Sequence, residues 1–128
     1  MNNKNIVVLI TAPSKEVGVK ISETLVEKKL AACVNIVSPI NSLYIWQGKV
    51  INDEEVLLIV KSKEELFENE LIPAVKSVHP YEVPEIIALP IIMGSKDYLD
   101  WIQSETKKTI SIRINSNRTL DLTGSNKL

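Results

Sequence analysis

Five consecutive apolar residues, Ile6-Val7-Val8-Leu9-Ile10, constrain the fold of this chain more than any other feature. Four of the five are β-branched, and nothing polar interrupts them. Such a run forms a strand that offers neither face to water. It is too short for a signal-peptide core or a membrane span. The chain must therefore place cover over both sides of a sheet.

The segments that follow supply the first cover. Pro13 and Ser14 open a helix in which Val17, Ile21 and Leu25 recur every four residues, an apolar stripe aimed at a sheet. A second strand runs from Ala32 to Val37. Pro39 interrupts it, because proline cannot donate to a ladder and marks a bulge. The strand resumes from Ser42 to Trp46 and turns at Gln47-Gly48. Its partner starts at Lys49 and ends in the apolar run Val56 to Val60. A second helix starts near Ser62 with Phe67, Leu71, Val75 and Val78 as its buried stripe, and Pro73 kinks or restarts it. His79 to Pro84 is extended, since residues before proline leave the α region. Glu85 to Met93 is the fourth strand, and a last helix carries Tyr98, Trp101 and Ile102 on one face.

The order βαββαβ plus a terminal helix specifies an α+β fold, the ferredoxin-like sandwich: a four-stranded antiparallel sheet with two helices on one face. Residues 1–106 form this single domain, as expected for 128 residues. Residues 107–128 are an extension in which Thr109 to Asn115 alternates as a short strand, with Ile110, Ile112 and Ile114 on one side, and the remainder is a polar, mobile tail.

Net charge is −1, with acidic and basic residues interspersed, so no basic stripe exists to neutralise a nucleic-acid backbone. One cysteine excludes an internal disulfide and fits a reducing, cytoplasmic setting. There is no phosphate-binding glycine loop, dinucleotide fingerprint or nucleophile elbow. Acylphosphatases share the ferredoxin-like plan but need an arginine in the loop after the first strand, and Thr11-Ala12-Pro13-Ser14-Lys15 has none. Fold alone licenses no activity.

Three segments resemble the CutA family of divalent-cation-tolerance proteins: LVEKKLAACVNI (Leu25 to Ile36), SLYIWQGKV with EEVLLIVK (Ser42 to Lys61), and HPYEVPEIIALP (His79 to Pro90) followed by Tyr98-Leu99-Asp100-Trp101. The resemblance covers Ile6 to Ile102. It implies a homotrimer with strands pairing across subunits, a role in binding and tolerating divalent metals such as copper, and no catalytic activity or required cofactor. Animal relatives are associated with the acetylcholinesterase membrane anchor. No nucleic acid or direct membrane insertion is expected. In some relatives a copper site combines a first-strand cysteine with a His-His pair before Pro-Tyr; here those positions hold Ile10 and Val78-His79.

His79, the only histidine, is the candidate copper ligand, against a reading in which its ring bonds to backbone. Cys33 is a soft-metal candidate or a small buried hydrophobe, and Met93 is chiefly packing. Tyr44, Trp46, Lys61, Tyr81, Glu82, Glu85 and Trp101 are candidates for a ligand pocket between subunits, with Lys61 as partner to the glutamates. The run Asp53 to Glu55 reads as a solvated turn. Alternative readings are a PII-like small-molecule sensor, a scaffold or anchor partner without metal, and a weak hydrolase built on His79 and Glu82.

Overall fold

The computed structural model describes residues 4–108. The apolar run becomes the middle of β1 (Asn5–Ala12), which lies between β3 (Lys49–Lys63) and β4 (Ile86–Pro90) in a sheet of order β2-β3-β1-β4, with β2 spanning Cys33–Trp46. All pairings are antiparallel, which is the ferredoxin-like order expected. One face of β1, carrying Ile6, Val8, Ile10 and Ala12, joins Val56, Leu58 and Val60 of β3 against helix α1 (Lys15–Glu27) and the second helical segment. Leu58 and Val60 are fully buried, and each such side chain contributes about 1.5–3 kcal/mol.

Local chemistry sets the element ends. The Ser14 hydroxyl caps α1 by accepting from the Val17 N–H. Leu30 N–H returns to the Leu25 carbonyl and Lys29 N–H to that of Val26, closing the helix with Lys29 at φ 57. Gly18 faces the sheet so closely that a Cβ there would stand 2.9 Å from Val56 Cγ2. Gln47 and Gly48 both have positive φ, the requirement of a two-residue hairpin turn.

The bulge expected at Pro39 is present between Val37 and Ile40, beside a cis Ser38–Pro39 bond. β3 runs on to Lys63, past the expected helix start near Ser62, because Asn5 to Val7 of β1 pair with Lys61 to Lys63. The second helical segment then opens as a 3-10 turn (Glu64–Leu66) and a π-helical turn (Phe67–Leu71) before α2 (Ile72–Val78). Pro73 is the physical cause: it withholds an N–H, and Ile72 N–H reaches five residues back to Phe67 O. β4 is shorter than the expected Glu85 to Met93, since Ile91 N–H bonds to Asn5 O and β1 ends there.

The last helix, α3 (Lys96–Glu105), lies over the opposite face of the sheet. Gln103 donates to Asn5 Oδ1 at 2.7 Å, and Tyr98 meets Cys33. Ile102 is its one fully buried residue, apart from the main core; Tyr98 and Trp101 stay exposed, unlike the single buried face expected. This helix covers one end of that face only, leaving Val37, Ile87 and Leu89 exposed. Among the described residues two-sided burial of β1 is therefore incomplete: Val7 and Leu9 are half-buried. The strand pattern expected at Thr109 to Asn115 lies outside the described residues.

Candidate functional site

The polar side chains gather where β3 leaves the core. Asp53 and Glu55 sit two apart on β3, opposite Ser42 and Ile40 of β2. They are strand residues, not the solvated turn expected, because the turn is at Gln47-Gly48. Glu55 is buried at 8% exposure. A buried carboxylate needs donors, and Tyr81 supplies one: its hydroxyl donates to Glu55 Oε2 at 2.8 Å. The Tyr44 hydroxyl donates likewise to Asp53 Oδ2. Burial and then the bond to Glu55 push the Tyr81 phenol well above its ordinary range. The bond to Asp53 raises that of Tyr44.

His79 anchors this cluster from behind. It ends α2 in extended backbone, as the following proline requires. Nδ1 lies 3.1 Å from the Tyr81 N–H and Nε2 lies 2.8 Å from the Thr11 carbonyl. An N–H can only donate and a carbonyl only accept, so Nδ1 accepts and Nε2 carries the proton. The ring also packs on Tyr81, centroids 4.8 Å apart. His79 thus ties the β1 end to the Tyr81 loop and so positions the donor to Glu55.

The other sequence candidates lie apart. Cys33 and Lys61 are register partners, level with Val7, four residues along β1 from Thr11, or about 13 Å. Cys33 is half-exposed and stands beside Tyr98, not in the core, because it occupies the face opposite α1. Burial, with Cys33 adding to it, raises the Tyr98 phenol. Lys61 donates to Asn35 Oδ1, not to Glu82 or Glu85, which are exposed in and beside the 79–85 loop. Trp101 stacks near Tyr98 at 5.5 Å, Trp46 is exposed at the hairpin turn, and Met93 is exposed rather than packed. Within one chain the seven pocket candidates therefore divide. Tyr44 and Tyr81 gather at one end of the sheet, Lys61 and Trp101 at the other, and Trp46, Glu82 and Glu85 join neither.

Among the described residues of one protomer no set fits a metal. Both His79 nitrogens are engaged, Cys33 is remote from it, and among the described residues no group of three or more histidine, cysteine or acidic side chains could hold an ion. Sequence reasoning missed Glu55, Asp53 and Thr11. The tyrosine hydroxyls offered the one usable signal, because a part-buried phenol seeks an acceptor.

Comparison with known proteins agrees with this architecture. The family profile described as "CutA1 divalent ion tolerance protein" matches residues 6–105. A divalent-cation tolerance protein CutA of Thermus thermophilus is 54% identical over 100 residues, 78% of this chain and 96% of the relative. A chloroplastic CutA protein of Arabidopsis thaliana is 50% identical over 80% of this chain, which spans 56% of that longer relative. The crystal structure of CutA1 from Oryza sativa superposes with TM-score 0.80 at 47% identity, covering 83% of this chain and 96% of that one. Among the described residues no helix is long and apolar enough to cross a membrane. Profile, relatives and fold agree: this chain belongs to the CutA family of divalent-cation tolerance proteins.

Proposed function

We propose that this chain serves tolerance to divalent cations, copper among them, as a homotrimer whose ligand sites form where subunits meet. The observation that carries the reading is the β2–β3 ribbon beyond the bulge. Leu43, Ile45, Trp46 and Val50 there are 62–71% exposed. Leu43, Ile45 and Val50 share one face of the ribbon and Trp46 lies on the other, so apolar side chains stand exposed on both faces, as at an interaction surface. The Trp46 side continues the uncovered sheet face, where a neighbouring subunit would complete the two-sided burial that β1 requires. The family's name is a tolerance role and not a reaction, and no catalytic activity is proposed.

Native mass measurement tests the assembly. A trimer at micromolar concentration is expected, and a monomer there overturns the reading. Calorimetric copper titration tests the site. With both ring nitrogens of His79 engaged, His79→Ala should leave copper binding unchanged; saturable binding lost in that variant would restore His79 as a ligand. A second reading, a small-molecule sensor, draws on the adjoining Tyr44–Asp53 and Tyr81–Glu55 pairs. Thermal shift across nucleotides and metals separates the two, since a bound ligand raises the melting temperature by mass action.

A further inference from the structure

Asp53 and Glu55 share one face of the ribbon with Tyr44, because register partners and alternate residues lie on the same side of a sheet. The one lysine on that face, Lys49, stands opposite Trp46, four residues or about 13 Å along β3 from Asp53. Both carboxylates are only half satisfied. The Tyr81 hydroxyl donates to Glu55 Oε2 at 2.8 Å and the Tyr44 hydroxyl to Asp53 Oδ2. Among the described residues no donor reaches Glu55 Oε1 or Asp53 Oδ1, and no lysine or arginine forms an ion pair with either group. Glu55 is more than nine-tenths buried, so a carboxylate without a counter-charge is costly there. Oε1 is not sealed in, since among the described residues no fully enclosed polar side-chain atom lacks a partner; it opens to the surface. After the bond to Asp53 in Tyr44 and burial in Tyr81, the charges of Asp53 and Glu55 each add to the rise of both phenols.

We infer that this face binds an organic cation, a short aliphatic diamine, whose two ammonium groups meet Glu55 Oε1 and Asp53 Oδ1 while its chain lies against the rings of Tyr44 and Tyr81. The inference rests on the sensor reading of the two tyrosine–carboxylate pairs and gives that reading its ligand class. Residues two apart on a strand stand about 7 Å apart, a span that two ammonium groups on one short chain bridge and a single one does not. Tyr44 and Tyr81 are 42% and 37% exposed, so part of each ring is open to a cation, which aromatic faces attract. Two uncompensated carboxylates repel an anion, which weighs against a nucleotide at this place. A hard divalent ion asks for about six or more oxygens, and here each carboxylate has already committed one oxygen to a phenol.

Calorimetric titration of the full chain with 1,4-diaminobutane, calcium chloride and ATP tests the class. It compares wild type with Asp53→Asn and with Glu54→Gln, which removes the same charge from the opposite face of β3. The diamine should bind wild type saturably, bind Asp53→Asn about tenfold or more weakly, and bind Glu54→Gln as it binds wild type, with calcium and ATP silent. Absence of diamine binding, or an equal loss in both variants, overturns the inference. Calcium binding that Asp53→Asn removes makes the pair a metal site and overturns it as well. ATP binding that Asp53→Asn removes, with the diamine silent, overturns the diamine and keeps the sensor reading, whereas silence of all three probes removes both. Native mass on the same samples covers the remaining source of positive charge, a lysine of a second copy: a mass that falls in Asp53→Asn, with no diamine binding to wild type, assigns the carboxylates to a contact between copies and overturns the inference.

Discussion

The two halves of β3 divide at Glu55 and live in different surroundings. From Val56 to Ser62 alternate side chains point into a core that α1 and α2 close completely; Leu58, Val60 and Ser62 have no exposed surface. From Lys49 to Glu54 the same strand pairs with β2 in a ribbon that no helix covers, and Val50 is 70% exposed. Both halves are hydrogen-bonded ladders of β-rich sequence. The first half is satisfied by its own chain, and the second presents apolar side chains that the described residues leave uncovered. Strand formation and burial are thus separate achievements, and the bulge at Val37–Ile40 is where one continues without the other.

Substitutions can break this contrast at graded cost. Leu58→Ala empties a closed core and should lower unfolding free energy by about 2–5 kcal/mol in denaturant titration, with assembled mass unaffected at low denaturant. Tyr81→Phe strikes the seam between halves. It leaves the buried Glu55 carboxylate without its phenol donor, and a loss of about 1–3 kcal/mol is expected in the same titration. The ribbon should answer differently: Trp46→Ala is expected to change protomer stability by no more than about 0.5 kcal/mol, because its side chain is exposed, yet to lower the native mass. A Trp46→Ala protein of unchanged mass would remove the distinction.

The seam also carries a pH signature. Burial and the bond to Glu55 raise the folded-state phenol of Tyr81 above the ordinary tyrosine value of about 10. Its stabilising contribution is therefore complete below pH 10 and lost as pH climbs from there toward the folded value, since the unfolded state sheds its proton first. Ultraviolet titration of phenolate should show one tyrosine ionising last, and Tyr81→Phe should abolish that step. Away from the seam, Lys29→Gly should raise stability by about 1 kcal/mol in the same denaturant titration, because glycine accepts the positive φ that closes α1 without a Cβ penalty.

Much of the fold was legible because period and punctuation agree. The apolar run at Ile6, the stripe through Ile21 and Leu25, the break at Pro39 and the turn at Gln47-Gly48 each have one physical reading, and the structure follows all four. The acidic run misled, because three adjacent polar residues resemble a turn when the tyrosines that pair with two of them lie elsewhere in the sequence. Cys33 misled for a related reason: an apolar neighbourhood in sequence does not say which sheet face a residue takes. The pocket candidates were chosen by residue type, and type cannot report that Lys61 and Tyr81 stand at opposite ends of a sheet. His79 was legible as a backbone-bonded ring, but its carbonyl partner on β1 depends on tertiary placement.

The strand order has a consequence in time. β1 is synthesised before both its neighbours, β3 and β4, and residues 13–85 separate it from the second. A segment of five successive apolar residues therefore waits on the ribosome without its partners. The ribbon, by contrast, joins neighbours across a two-residue turn and can form as soon as it appears. Long-range closure makes such topologies slower to fold than local ones, so this apolar run must be kept from other molecules for longer than the ribbon while the chain is being made.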